Sequence, residues 1–92
     1  MNAQDIQARI RKIVATVTNI DPALIGEETS FREELSLDSL SLLEIGVDVD
    51  YEFKLGLQDL DQRLQGIGNL RQAVELVQQV LAERTQQVEA AT

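Results

Sequence analysis

The stretch SLSLLEIGVDVDYEFKLGL, residues 39–57, decides the fold of this 92-residue chain. Val47, Val49, Tyr51, Phe53, Leu55 and Leu57 alternate with Asp48, Asp50, Glu52, Lys54 and Gly56. Taken alone, that alternation reads as a half-buried strand. The same residues also fit a helix. On a helical projection Leu42, Ile45, Gly46, Val49 and Phe53 share an arc of roughly 100°. Leu40, Leu43, Val47 and Tyr51 share a second arc of roughly 80°, nearly opposite. No second convincing strand exists to pair with, and a lone strand is not stable. Residues 39–54 are therefore read as a helix with one apolar stripe buried and one left for something else.

Upstream, Ile6, Ile10, Ile13, Val14 and Val17 sit at helical spacing, with Arg9, Arg11 and Lys12 between them. A helix is expected over 3–17, capped by Asn2, with Asp5 favouring its first turn. Residues 18–38 form a long connection. Asp21-Pro22 pairs a cap with proline at a first helical position, so one short turn is expected at 22–25. Leu24, Ile25, Phe31 and Leu35 are the expected anchors, since a long loop in a small domain must be pinned. Downstream, Gly56 is expected to end the central helix. Leu57, Leu60 and Leu64 suggest a short helix near 59–65, and Gly66 and Gly68 mark a turn. Asn69 then caps a last helix carrying Leu70, Ala73, Val74, Val77 and Leu81. The fold class is all-α, a small four-helix bundle of three main helices plus a short one, with a long loop between the first two. Ile45, Val49 and Phe53 are expected in the core with Ile10, Val14, Val74 and Val77. Residues 1–84 make the domain, and the small polar tail at 85–92 is expected to fray.

The formal net charge is −8, and the chain has neither cysteine nor histidine. Disulfides, thiolate nucleophiles, Cys/His zinc sites and histidine bases are thereby excluded. Nucleic acid and anionic lipid are poor partners for so acidic a chain. No run reaches the ~18 apolar residues of a membrane span. The N-terminal residues lack the basic-then-apolar order of a signal peptide. A cytoplasmic monomer with no membrane insertion is the expectation. Residues 27–61 hold eleven acidic groups against two basic ones, Arg32 and Lys54, and so carry the whole excess. That segment contains the helix with the spare stripe. An apolar stripe rimmed by acid is either a docking surface for a basic partner or a solvated face.

Leu37-Asp38-Ser39-Leu40 opens the central helix, with Phe31-Arg32-Glu33-Glu34-Leu35 before it and Leu43-Glu44-Ile45 after it. Over roughly residues 3–82, in these segments and in the order of its helices, the chain resembles the acyl carrier protein family. That family attaches 4′-phosphopantetheine to the serine of an Asp-Ser-Leu motif. The resemblance implies covalent attachment at Ser39, flanked by Asp38 and Leu40. It implies a non-catalytic role, holding acyl intermediates as thioesters and presenting them to enzymes of fatty-acid or related synthesis. It implies as partners a phosphopantetheinyl transferase, an acyl-loading ligase or transacylase, and acyl-processing synthases with basic docking patches. Leu40, Leu43, Glu44, Val47, Asp48 and Tyr51 match the recognition face of the family's second helix.

The chemistry agrees from below. A hydroxyl at the first turn of a helix is reachable, and the helix N-terminus favours the phosphodiester anion made there. Asp38 can cap free backbone N–H groups and leave Ser39 protruding. The sequence departs from the family in three places. Ser36 stands where glycine is frequent. Gly46 stands where a larger apolar residue is usual. The stretch from Leu57 to Leu70 is about two residues longer. Gly46 leaves open room for an acyl chain or a close helix–helix approach.

Other sites are weaker. Ser36 and Ser41 are further hydroxyls. Asp48, Asp50, Glu52 and Asp59 fall on positions of a calcium-loop template, but Phe53 stands where its sharp turn needs glycine. Tyr51 is an edge of the docking stripe or a covered surface residue. Two alternatives stay open: a peptidyl or polyketide-type carrier, and an unmodified acidic adaptor.

Overall fold

The computed structural model describes residues 2–56, 62–63 and 66–91, with side chains through residue 83. The ambiguous stretch is helical through Phe53. Helix α1 spans Ala3–Thr18, α2 spans Ser39–Phe53 and α3 spans Leu70–Ala91, with a short 3-10 turn at Pro22–Leu24. No strand occurs among the described residues. The buried residues of α2 are Leu42, Ile45, Gly46, Val49 and Phe53, the stripe the projection turned inward. They meet Ile6, Ile10 and Val14 of α1 and Leu70, Ala73, Val74, Val77 and Val80 of α3 in one core. Helix α1 is the central element, packed against both α2 and α3.

Local chemistry sets where the helices start. Asn2 accepts the Asp5 N–H at 2.8 Å, and Asp38 accepts the Ser41 N–H at 2.8 Å. Asn69 accepts the Gln72 N–H at 2.9 Å, while the Gln72 side chain accepts the Gly68 N–H at 2.6 Å. Each cap satisfies a first-turn donor that has no partner within its helix. Helix α2 ends differently from the expectation at Gly56. Its last residue is Phe53, and Lys54 takes the left-handed conformation at φ 54°. The N–H groups of Lys54 and Leu55 both reach the Asp50 carbonyl, which turns Leu55 back into the core. Burial of that leucine favours the left-handed turn one residue after the helix. Gly56, at φ 67°, then donates to the Asp50 carboxylate at 2.7 Å.

The long loop is pinned as expected at Ile25 and Phe31, each 1% exposed, and Leu35 packs against the core. Leu24 is a correction: it is 69% exposed. The 3-10 turn buries none of its own residues, so the apolar contact falls to Ile25 just after it. Hydrogen bonds to backbone carbonyls stitch the loop on both sides. Arg11 Nε donates to the Ile25 carbonyl, Arg71 N–H to the Glu27 carbonyl, and Phe31 N–H to the Gly68 carbonyl. Leu57, Leu60 and Leu64, and most of the short helix expected near 59–65, lie outside the described residues. The backbone of α3 runs helical to Ala91, through the segment expected as a tail, while its core contacts among described side chains end at Val80 and Leu81. No helix among the described residues is long and apolar enough to cross a membrane.

Candidate functional site

The entry of α2 is built by three consecutive residues with different tasks. Leu37 is half-buried and packs against the core, fixing the strand of loop that arrives. Asp38 turns its carboxylate back onto the Ser41 N–H and becomes the cap. Ser39 is the first helical residue and is exposed. The cap engages the Asp38 carboxylate with the helix, while Ser39 beside it is exposed. The Ser41 N–H and then the Ser41 hydroxyl hold the Asp38 carboxyl below its ordinary range, against a smaller opposing effect of desolvation. Because the folded pKa is depressed, this contribution to stability is present above the unfolded value of about 3.9. It is lost as pH falls through the folded value.

Ser36, in the loop before the site, stands at a turn whose geometry favours glycine. Ser36 has φ 55°, in the left-handed region where a side chain is strained. The turn is needed because Leu37 must come back: its N–H bonds the Phe31 carbonyl at 2.9 Å. Ser36→Gly is expected to relieve that strain and stabilise the fold by about 0.5–1 kcal/mol, less than the full left-handed penalty because glycine also loosens the unfolded chain. Thermal denaturation by circular dichroism checks it. A lower melting temperature would show that the serine side chain itself holds the turn.

The outward stripe of α2 lies next to Ser39. Leu40 is 74% exposed, Leu43 38%, Val47 50% and Tyr51 86%. Tyr51 is thus no covered surface residue. Glu44 and Asp48 are exposed on the same helix. Exposed large apolar side chains in a contiguous row, with carboxylates beside them, suit a partner carrying apolar and basic groups. The acidic field is partly compensated elsewhere: Arg9 pairs with Glu52 at 3.2 Å and Arg71 with Glu28 at 3.5 Å. The sequence reading missed that α1 brings its basic face against the lower part of α2. Arg9 and Lys12 at i, i+3 on the polar side of α1 were the available signal.

A phosphodiester fits this place. The first-turn N–H groups of α2 lack helical partners and favour an anion. The exposed hydroxyl of Ser39 is reachable without disturbing the core, and Leu40 beside it offers apolar surface.

A family model described as "Phosphopantetheine attachment site" matches residues 8–77. The chain is 36% identical over 87 residues to the meromycolate extension acyl carrier protein of Mycobacterium leprae, covering 95% of this chain and 74% of that one. It is 35% identical over 80 residues to an acyl carrier protein of Rhodococcus erythropolis, covering 87% and 86%. An acyl carrier protein of Guillardia theta is 27% identical over 82 residues, covering 89% and 99%.

Proposed function

Since this chain belongs to the acyl carrier protein family, which carries acyl intermediates on covalently attached 4′-phosphopantetheine, we propose that Ser39 is its attachment residue. The exposed hydroxyl at the first position of α2, beside a cap that faces away from it, is the observation that carries this reading. The bound group supplies a thiol, which a chain without cysteine lacks. Asp38 and Leu40 hold the arm's base: the one by fixing the helix start, the other by lending apolar surface. The protein performs no chemistry on its cargo. Its carrier unit is residues 1–84, the segment that holds every described core contact.

As a carrier it interacts with biosynthetic enzymes. The proposed ones are a phosphopantetheinyl transferase, a loading ligase or transacylase, and synthases with basic patches. Leu40, Leu43, Glu44, Val47, Asp48 and Tyr51 form the proposed docking face. The relatives named for meromycolate extension support an acyl chain under elongation as cargo, over a peptidyl one. Intact-mass analysis of protein purified from its own cells tests this. An added mass of the arm plus a fatty acyl group is expected, and an aminoacyl mass would overturn it. Peptide mapping after treatment with coenzyme A and a transferase should put the adduct on the peptide containing Ser39.

The docking face has its own test. Glu44 lies outside the core, so Glu44→Lys should change stability by no more than about 0.5 kcal/mol. It replaces attraction to a basic partner with repulsion, so modification at low salt should slow by roughly tenfold or more. That loss should shrink as salt is added. Glu83→Lys, on the exposed side of α3, is the control and should change the rate far less. Equal rates for both variants and wild type would reduce the acidic stripe to a solvated face.

A further inference from the structure

A groove of about 470 Å³ runs between α1 and α2, beyond the docking stripe, and charges of both signs line it. Arg9 and Lys12 line one side, Asp48 and Glu52 the other, with Ile13 and Tyr51 between. In a chain of net charge −8 this groove is formally neutral. Arg9 is engaged by Glu52 at 3.2 Å. Lys12 has no ion-pair partner among the described residues and is exposed. Tyr51 belongs both to the stripe and to the groove, so the two surfaces are continuous.

We infer that the transferase that modifies Ser39 docks across both helices, with a basic side chain against Asp48 and a carboxylate against Lys12. This deepens the docking reading above and rests on it. Area is the first argument. From Leu40 to Tyr51 the stripe is about 17 Å long on a helix about 10 Å across, a footprint on the order of 200 Å². A specific interface covers about 800 Å² on each partner. The docked enzyme must therefore spread onto neighbouring elements, and α1 borders the stripe through the groove. The demand is greatest for the transferase, which meets the protein before any arm is attached and must recognise the protein surface itself. Charge is the second argument. A wholly basic enzyme surface laid on this groove would meet Lys12 with like charge at close range. Complementarity at that point requires a carboxylate.

The sign of the effect makes the test sharp. Replacing a cation by an anion makes the carrier more acidic, which by long-range steering alone would speed association with a basic enzyme. The proposed contact demands the reverse. The measurement is the steady-state rate of modification of the full chain by a phosphopantetheinyl transferase with coenzyme A. Lys12→Glu is expected to lower kcat/KM by on the order of threefold to tenfold, mainly through KM. Lys12→Gln should give a smaller loss of the same sign. Gln78→Glu, on α3, changes the net charge by the same amount as Lys12→Gln and should leave the rate unchanged or slightly higher. Melting temperatures of all variants confirm that each is folded. An unchanged or faster reaction for Lys12→Glu overturns the proposal, while Glu44→Lys still slow would leave the stripe as the docking face. Loss of modification in wild type, or adduct on another residue, would instead sink the attachment reading beneath it.

Discussion

Ser39→Ala should gain no mass on incubation with coenzyme A and a phosphopantetheinyl transferase, under conditions where wild type gains one phosphopantetheinyl group. The substitution removes the only hydroxyl that is both exposed and on the first turn of α2. The two neighbouring serines are poor substitutes for physical reasons. Ser41 is half-buried, and its N–H and hydroxyl serve the Asp38 carboxylate. Ser36 is exposed but stands three residues earlier in a left-handed turn, away from the donors of the helix N-terminus. The fold should be unaffected: the Ser39 side chain lies outside the core, and alanine is the better helix former, so the change in stability should stay within about 0.5 kcal/mol. Intact-mass spectrometry reads the first outcome and thermal denaturation the second. A modified Ser39→Ala protein would move the attachment to another hydroxyl.

Phe31→Ala should strongly destabilise the domain. Phe31 is 1% exposed and is the largest fully buried side chain. It lies in the loop, yet its N–H bonds the Gly68 carbonyl and its carbonyl accepts the Leu37 N–H, so it joins the turn before α3 to the approach to Ser39. Truncating a buried phenylalanine to alanine costs about 3–5 kcal/mol. A domain of this length has roughly 5–14 kcal/mol in total. Urea denaturation is expected to show a midpoint lowered by roughly a fifth or more. Modification of Ser39 should slow in proportion to the unfolded fraction. A loss under about 1 kcal/mol would mean that the loop is an appendage to the helices instead of part of their core.

Most of the fold was legible because helical periodicity and capping are local. The two stripes of α2 followed from spacing alone, and each buried member of the inner one was named from the projection. So were the caps Asn2, Asp38 and Asn69, whose side chains reach only three residues ahead. What escaped the reading depends on distant partners. Leu24 and Ile25 are adjacent apolar residues in one turn, and only the packing of that turn against α1 decides which is buried. Lys54 takes the left-handed cap expected of Gly56, because Leu55 between them is drawn into the core. The proposed attachment site was readable as a motif at a helix start. The groove beside it was not, since Arg9 and Glu52 meet across 43 positions of sequence.

The central position of α1 also has a consequence for synthesis. Helix α1 needs partners from both later helices, and Val77 and Val80 of α3 are the last of the described buried core residues to be translated. At about 5–20 residues per second, roughly 60 residues separate the end of α1 from Val80, a delay of several seconds. Throughout that interval Ile6, Ile10 and Val14 are made but lack their full cover. Until α3 is made, the apolar face of α1 stays partly bare, and the surface that carries Ser39 rests on a complete core only after α3 has packed.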